Sequence, residues 1–306
     1  MLVYCSRRRV ICKSVIPPKN KMKRILIIIT ITLFVSCSES SDKNEQIDLH
    51  QLMKFPKQTT LTKSIIDSLG SVNEYKQNGF ILYCKNGSYS DKNRELLFTQ
   101  IYDAILRVKE VLKIEQLPQG FYLIMLDSRE EMGRIFGHKY KGLSIKNDDL
   151  ALFVNNSEIR PYFKHELFHL IAYQVWGNSD SRLLNEGGAV YADNQCLSYK
   201  NPIVVINRYL YEKKKWFPFD ELMNNFTEKA AENDMIAYLE SAYIFKHLYE
   251  NYGKEKMIEL WRKGFSEIKN IYGFDVLRLE KNIHEEIIQI EYKEVDWSKL
   301  MEEGCG

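Results

Sequence analysis

The chain has 306 residues, 45% of them hydrophobic and 27% charged. Its formal charge of +2 comes from one end: residues 1–24 hold eight Lys or Arg and no acid, so the remainder carries 35 basic against 41 acidic residues, a net −6. That sign argues against nucleic-acid binding, and the cysteines beyond residue 37 (Cys84, Cys196 and Cys305) allow at most one internal disulfide and lack zinc-site spacing.

Lys21-Met22-Lys23-Arg24 precedes eleven apolar or threonine residues, Ile25 to Val35, too short to span a bilayer but the right length for a signal-peptide core. Leu33-Phe34-Val35-Ser36-Cys37 resembles a bacterial lipobox, which implies that Cys37 is lipidated as the first residue of the mature protein. The protein is then extracytoplasmic, anchored to a bacterial membrane at its periplasmic face or at the cell surface; an uncleaved anchor would also leave it outside the cytoplasm. Residues 1–21, acid-free and with a basic run at Arg7-Arg8-Arg9, read as an upstream mis-start with Met22 as initiator. Residues 38–58 are polar, lack periodicity and read as a tether. The globular remainder, about 245 residues, suffices for one large domain or two lobes sharing a cleft. The expected division is an N-terminal α/β lobe over 59–160 and a helical lobe over 161–306 that carries the functional site.

Phe80 to Cys84 is the first clear strand, opened by Gly79 and closed by the turn residues Asn86-Gly87. An amphipathic helix follows from about Lys92 to Leu112, with Ile101, Ile105, Val108 and Leu112 at three- and four-residue spacing. Phe121 to Leu126 forms a second strand, Ser128 to Phe136 a short helix, and Leu150 to Val154 a third strand. After Pro161 the pattern is mostly helical.

A helix over about 161–176 contains His165-Glu166-Leu167-Phe168-His169. Histidines four apart lie on one face, one turn above each other, so both imidazoles can reach a single Zn²⁺. Glu166 stands beside the metal, where it can take a proton from a zinc-bound water whose pKa is lowered to about 7. Burying two imidazoles and a carboxylate in so apolar a segment is unfavourable without a partner, which a metal would supply. A catalytic zinc needs a third protein ligand, and after the turn Gly177 to Ser181 the segment Leu184-Asn185-Glu186-Gly187-Gly188-Ala189-Val190-Tyr191-Ala192-Asp193 offers Glu186. Small residues at 187–189 would let this helix approach the histidine helix closely. Asp193, about two turns past Glu186, shares its face.

These residues resemble the gluzincins, the group that includes thermolysin and the zinc aminopeptidases, and within it the bacterial peptidase MA-like proteins. The signature there is His-Glu-x-x-His, a loop, and a helix opening Asn-Glu-Gly-x-Ala-x-Tyr; His165, Glu166, His169, Asn185, Glu186, Gly187, Ala189 and Tyr191 match it. The resemblance implies an α+β, zincin-like fold: a small mixed sheet with helices, then a mostly helical C-terminal lobe, with Leu150 to Val154 as the sheet edge along the cleft. Thermolysin has an Asp four residues after its ligand Glu, where this chain has Val190. The aminopeptidases have an acid seven residues on, where this chain has Asp193, which either bonds a ligand histidine or stands in solvent. Ile236 to Leu248 resembles the aminopeptidase helix whose tyrosine polarises the scissile carbonyl, and Tyr238 takes that position, although a tyrosine on an apolar helix is also an ordinary core residue.

The expected activity is that of a zinc-dependent peptidase acting on peptide or protein substrates through a glutamate-activated water. The aminopeptidase Gly-x-Met-Glu-Asn motif is absent, which favours internal bonds and leaves amino-terminal cleavage open. The alternative is a non-catalytic surface-binding lipoprotein that retains the fold, which would have no need of Glu166 as a base.

Overall fold

The computed structural model describes residues 55–194 and 201–303. Cys37, the signal segment and most of the expected tether lie outside the described residues, as do Cys196 and Cys305. The fold is α+β: a five-stranded mixed sheet built into the first half of the described chain, then helices. No described helix is long and apolar enough to cross a membrane.

Helix α1 (Thr60–Ser68) is capped by the Thr59 hydroxyl, which accepts from the Thr62 backbone N–H. Strands β1 (Val72–Gln77) and β2 (Phe80–Lys85) form an antiparallel hairpin. Its two-residue turn, Asn78-Gly79, holds both residues at positive φ (45° and 84°), the geometry that lets a tight hairpin keep the right-handed strand twist. A single turn, α2 (Tyr89–Lys92), leads into α3 (Arg94–Leu112), which buries Leu97, Ile101, Ala104, Ile105, Val108, Val111 and Leu112. Strand β3 (Phe121–Leu126) runs parallel to β2, α4 (Arg129–Phe136) follows, and β4 (Gly142–Ile145) and β5 (Leu150–Val154) close the sheet in the order β1-β2-β3-β5-β4.

Every residue of β3 and β5 is buried, because helices cover both faces of the sheet. Alternation divides the strands: Phe80, Leu82, Phe121, Leu123, Ala151 and Phe153 join the core with α3, whereas Ile81, Tyr83, Ile124, Leu150, Leu152 and Val154 pack with Ile65 of α1 and Met132 of α4.

The strand Leu150 to Val154 is not the sheet edge expected from the resemblance. β5 pairs parallel with β3 on one side and antiparallel with β4 on the other, so the edge is β4. The physical reason is burial: five consecutive apolar residues suit a strand paired on both sides, and the edge falls to four half-exposed residues, Gly142-Leu143-Ser144-Ile145.

Helix α5 (Phe163–Trp176) lies against β4, β5 and α3, with Phe163 and Phe153 in ring contact at 4.7 Å. α6 (Arg182–Asp193) packs on α5 and on α10 (Asp234–Tyr252), a 19-residue helix buried along much of its length, whose Phe245 ring meets Phe168 and Trp176 of α5. Between them come α7 (Pro202–Glu212), α8 (Phe219–Asn224) and α9 (Phe226–Glu232); after them α11 (Lys254–Lys263), α12 (Ile268–Tyr272), α13 (Val276–Ile287) and α14 (Trp297–Glu303). One apolar cluster runs from Phe80 in the sheet to Ile287 in α13. Cys84 is buried in it as a free thiol, its pKa pushed up by burial to about 12, which makes it an inert core residue.

Candidate metal centre

Two helices bring the candidate ligands together. α5 begins at Phe163, two residues later than its apolar pattern suggests, because Tyr162 sits outside helical geometry at φ −88°, ψ 66°. It buries Leu167, Phe168, Leu170, Ile171, Ala172 and Trp176, which leaves His165 and His169 to share the remaining face one turn apart. α6 starts at an N-cap, Ser181, whose hydroxyl accepts from the Leu184 N–H.

Close approach depends on two glycines with different partners. A Cβ on Gly188 would fall 2.5 Å from the Phe168 ring of α5, so this residue sets the distance to the histidine helix. A Cβ on Gly187 would fall 2.5 Å from the Ser241 carbonyl oxygen, so this one seats α10 instead.

The result is a tight triangle. His165 Nε2 and His169 Nε2 lie 3.2 Å apart, and Glu186 Oε2 lies 3.5 Å from each. Corners of a tetrahedron drawn around zinc at ligand lengths of about 2.0–2.2 Å are roughly 3.3–3.6 Å apart, and the triangle agrees with that spacing. Its donor set, two imidazoles and a carboxylate, is one that zinc accepts. The side chains keep only 19%, 6% and 14% exposure, so lone pairs at this separation repel one another unless a proton or a cation lies between them. His169 Nδ1 contacts Asn185 Oδ1 at 3.2 Å, which fixes the ring and leaves Nε2 to face the triangle. Asn185 was legible only as part of the motif, with no role.

The charges respond to this crowding. Burial lowers the His165 pKa, but Glu186, Glu166 and Asp193 outweigh it and raise the value to about 9. Burial raises that of Glu186, and the two histidines more than reverse it, holding the carboxylate well below its usual range. The pair thus behaves as a buried site that seeks positive charge.

Glu166 is 8% exposed and stands beside the triangle. Burial raises its pKa, opposed by His165 and His169, raised further by Glu186, and lowered by a hydrogen bond with Ser144. Its wall is the sheet edge: a Cβ on Gly142 would lie 2.7 Å from Glu166 Oε1, so glycine is required for the carboxylate to occupy its place.

Tyr238 of α10 lies across the site, its ring 6.5 Å from that of His165 at an interplanar angle of 24°. Burial and Glu186 raise its pKa to about 12 against a hydrogen bond from Arg182, so the phenol keeps its proton and remains a donor. Asp193 reaches the site through charge: it acts on His165, and burial raises its own pKa to about 6 against His165 and Lys164. The one hydrogen bond to a candidate ligand histidine from outside the triangle, among the described residues, comes from Asn185.

Sequence reasoning missed Gly142 and Ser144, which touch Glu166, and also Lys146, on which Glu186 acts, and Arg182, which acts on Tyr238. Arg182 could have been found, since it precedes Glu186 by one helical turn.

Residues 159–289 match the family model described as the Peptidase MA superfamily. The match includes α5, α6, α10 and α13, and with them His165, Glu166, His169, Glu186 and Tyr238. No curated protein matches the chain. The match supports a metallopeptidase-like family for this region, and a peptidase domain implies peptide or protein substrates.

Proposed function

We propose that the protein is a zinc-dependent peptidase of the gluzincin type, held outside the cytoplasm by a lipid on Cys37. The observation that carries this reading is the convergence of His165, His169 and Glu186 within one triangle with Glu166 beside it, inside the segment that matches a peptidase superfamily.

His165, His169 and Glu186 would hold the metal, with Asn185 orienting His169. When bound, zinc would acidify a water and polarise a scissile carbonyl. Glu166 accepts the proton of the attacking water and delivers it to the departing amine; its burial raises its basicity toward that task. Tyr238 donates from its hydroxyl to the carbonyl oxygen as negative charge grows there. β4, the free edge beside Glu166, can pair with an extended peptide and present one bond to the carboxylate. Without a motif for capturing a free amine, internal bonds are the favoured substrates. A non-catalytic binding protein would have no use for a general base in this position, which counts against that alternative.

The test is Glu166→Gln, which keeps size and hydrogen bonding but removes the base. Peptide hydrolysis should fall by about 10²-fold or more, the scale of general-base catalysis, while folding and zinc content match the wild type. Equal cleavage by the variant would remove Glu166 from the mechanism.

A further inference from the structure

Among the described residues, Lys146 near the candidate site has no carboxylate within ion-pair distance. Lys146 opens the single 3₁₀ turn Lys146–Asp148 that connects β4 to β5. In β4, Gly142 pairs with Phe153 and Ser144 with Ala151, so these residues share the sheet face that α5 covers; Gly142 and Ser144 both contact Glu166. Lys146 directly follows the end of β4, in a turn that itself packs against α5. Side chains of the residues that follow it tie the turn to α5: the Tyr173 hydroxyl donates to Asn147 Oδ1 (3.0 Å), and Gln174 Nε2 donates to Asp149 Oδ1 (3.0 Å).

The side chain is half-buried, and among the described residues no carboxylate lies within ion-pair distance of it. Burial lowers its pKa, and the carboxylate that opposes this is Glu186. Glu186, however, is committed to the metal triangle. A second cation, Arg182, stands one turn before Glu186 on α6; it donates to Thr227 Oγ1 and lies over the Phe226 ring, and it too has no carboxylate partner among the described residues. Two cations beside the candidate site, which also holds Glu166, Glu186 and Asp193, thus have no carboxylate within ion-pair distance among the described residues.

We propose that Lys146 is a specificity-determining residue that selects peptides bearing a carboxylate next to the bond to be cleaved, supplied by an acidic side chain or by a free C terminus. This rests on the peptidase reading above. A half-desolvated ammonium that meets a carboxylate regains the charge-assisted bonds that burial denied it, whereas a neutral peptide leaves it unpaired.

Binding separates this from catalysis. Three fluorescein-labelled peptide pools of otherwise identical mixed sequence are titrated into the zinc-loaded Glu166→Gln chain and followed by anisotropy: acid-containing with an amidated C terminus, acid-free and amidated, and acid-free with a free C terminus. At least one carboxylate pool should bind about tenfold more tightly than the neutral pool, in keeping with a charge-assisted hydrogen bond, and which one does so identifies the source of the carboxylate. Adding Lys146→Gln should erase the difference, and Lys146→Glu should reverse it. Equal binding of all three pools, or a preference that persists in Lys146→Gln, overturns the proposal. Cleavage of the same pools by the wild-type chain is scored separately: no cleavage of any pool would contradict the peptidase reading, while the binding ratios would still decide the role of Lys146.

Discussion

Two clusters in this molecule use the same residue types and do opposite things with them. One contains His165, His169, Glu186, Asn185 and Tyr238; the other, between α10 and α13, contains His247, Glu286, Asn251 and Tyr243. In the second, one carboxylate collects the donors: Glu286 accepts from the Tyr243 hydroxyl at 3.0 Å, from His247 Nδ1 and from Asn251. In the first, three acceptor-capable atoms face one another, and the amide is spent on orienting a ring. A histidine beside a glutamate in an apolar interior is therefore not a site in itself. What marks a site is three ligand atoms that converge on one point, a donor set that a cation completes.

The tyrosines sharpen this contrast most. Tyr238→Phe should lower the rate of peptide hydrolysis by roughly 10² to 10³, the loss typical of a single oxyanion donor, with zinc content unchanged. Tyr243→Phe should leave hydrolysis nearly intact and lower thermal stability by about 1 kcal/mol, the net worth of one hydrogen bond. Steady-state kinetics and melting curves on both variants check this; matching kinetic losses would dissolve the distinction.

The asparagines come next. Asn185→Ala should weaken zinc affinity by about 10- to 100-fold, as loss of a group orienting a metal-ligating histidine does, measured by competition with a chelator. Asn251→Ala should leave that affinity as it is.

Acid separates the clusters more gently. A hydrogen bond from His247 holds the Glu286 pKa below its ordinary 4.5, against burial, and His247 charge, Tyr243 and Lys246 help. A carboxylate whose folded pKa is depressed stabilises the fold above the unfolded value and loses that contribution as pH falls through the folded one. The stability deficit of Glu286→Gln should therefore be full near neutral pH and shrink below pH 4.5, followed by denaturant melts across that range. A deficit that grew on acidification would reverse the assignment.

How much of this was legible in the sequence depended on how local each feature is. His165, Glu166 and His169 are placed by a single helical period, and the buried runs at 80–85, 121–126 and 150–154 announce themselves by composition. β1 and β4 did not, because both are half-exposed, and β4 is four residues long with a glycine and a serine. Missing β4 moved the sheet edge onto β5 and hid the contacts of Gly142 and Ser144 with Glu166, which join residues more than twenty positions apart. The same distance concealed Lys146, whose significance lies in Glu186 forty residues away. The role of Gly187 was misread for a related reason: spacing showed that a helix must come close there, but not that α10 rather than α5 would be the neighbour.

The triangle, and not its look-alike, should be what holds a metal. Metal analysis of the purified chain alongside Glu186→Ala and Glu286→Ala tests it directly. About one zinc per chain is expected in the wild type and in Glu286→Ala, as a three-ligand site would hold, and little in Glu186→Ala. Full zinc occupancy in Glu186→Ala, or loss of zinc in a folded Glu286→Ala, would contradict it.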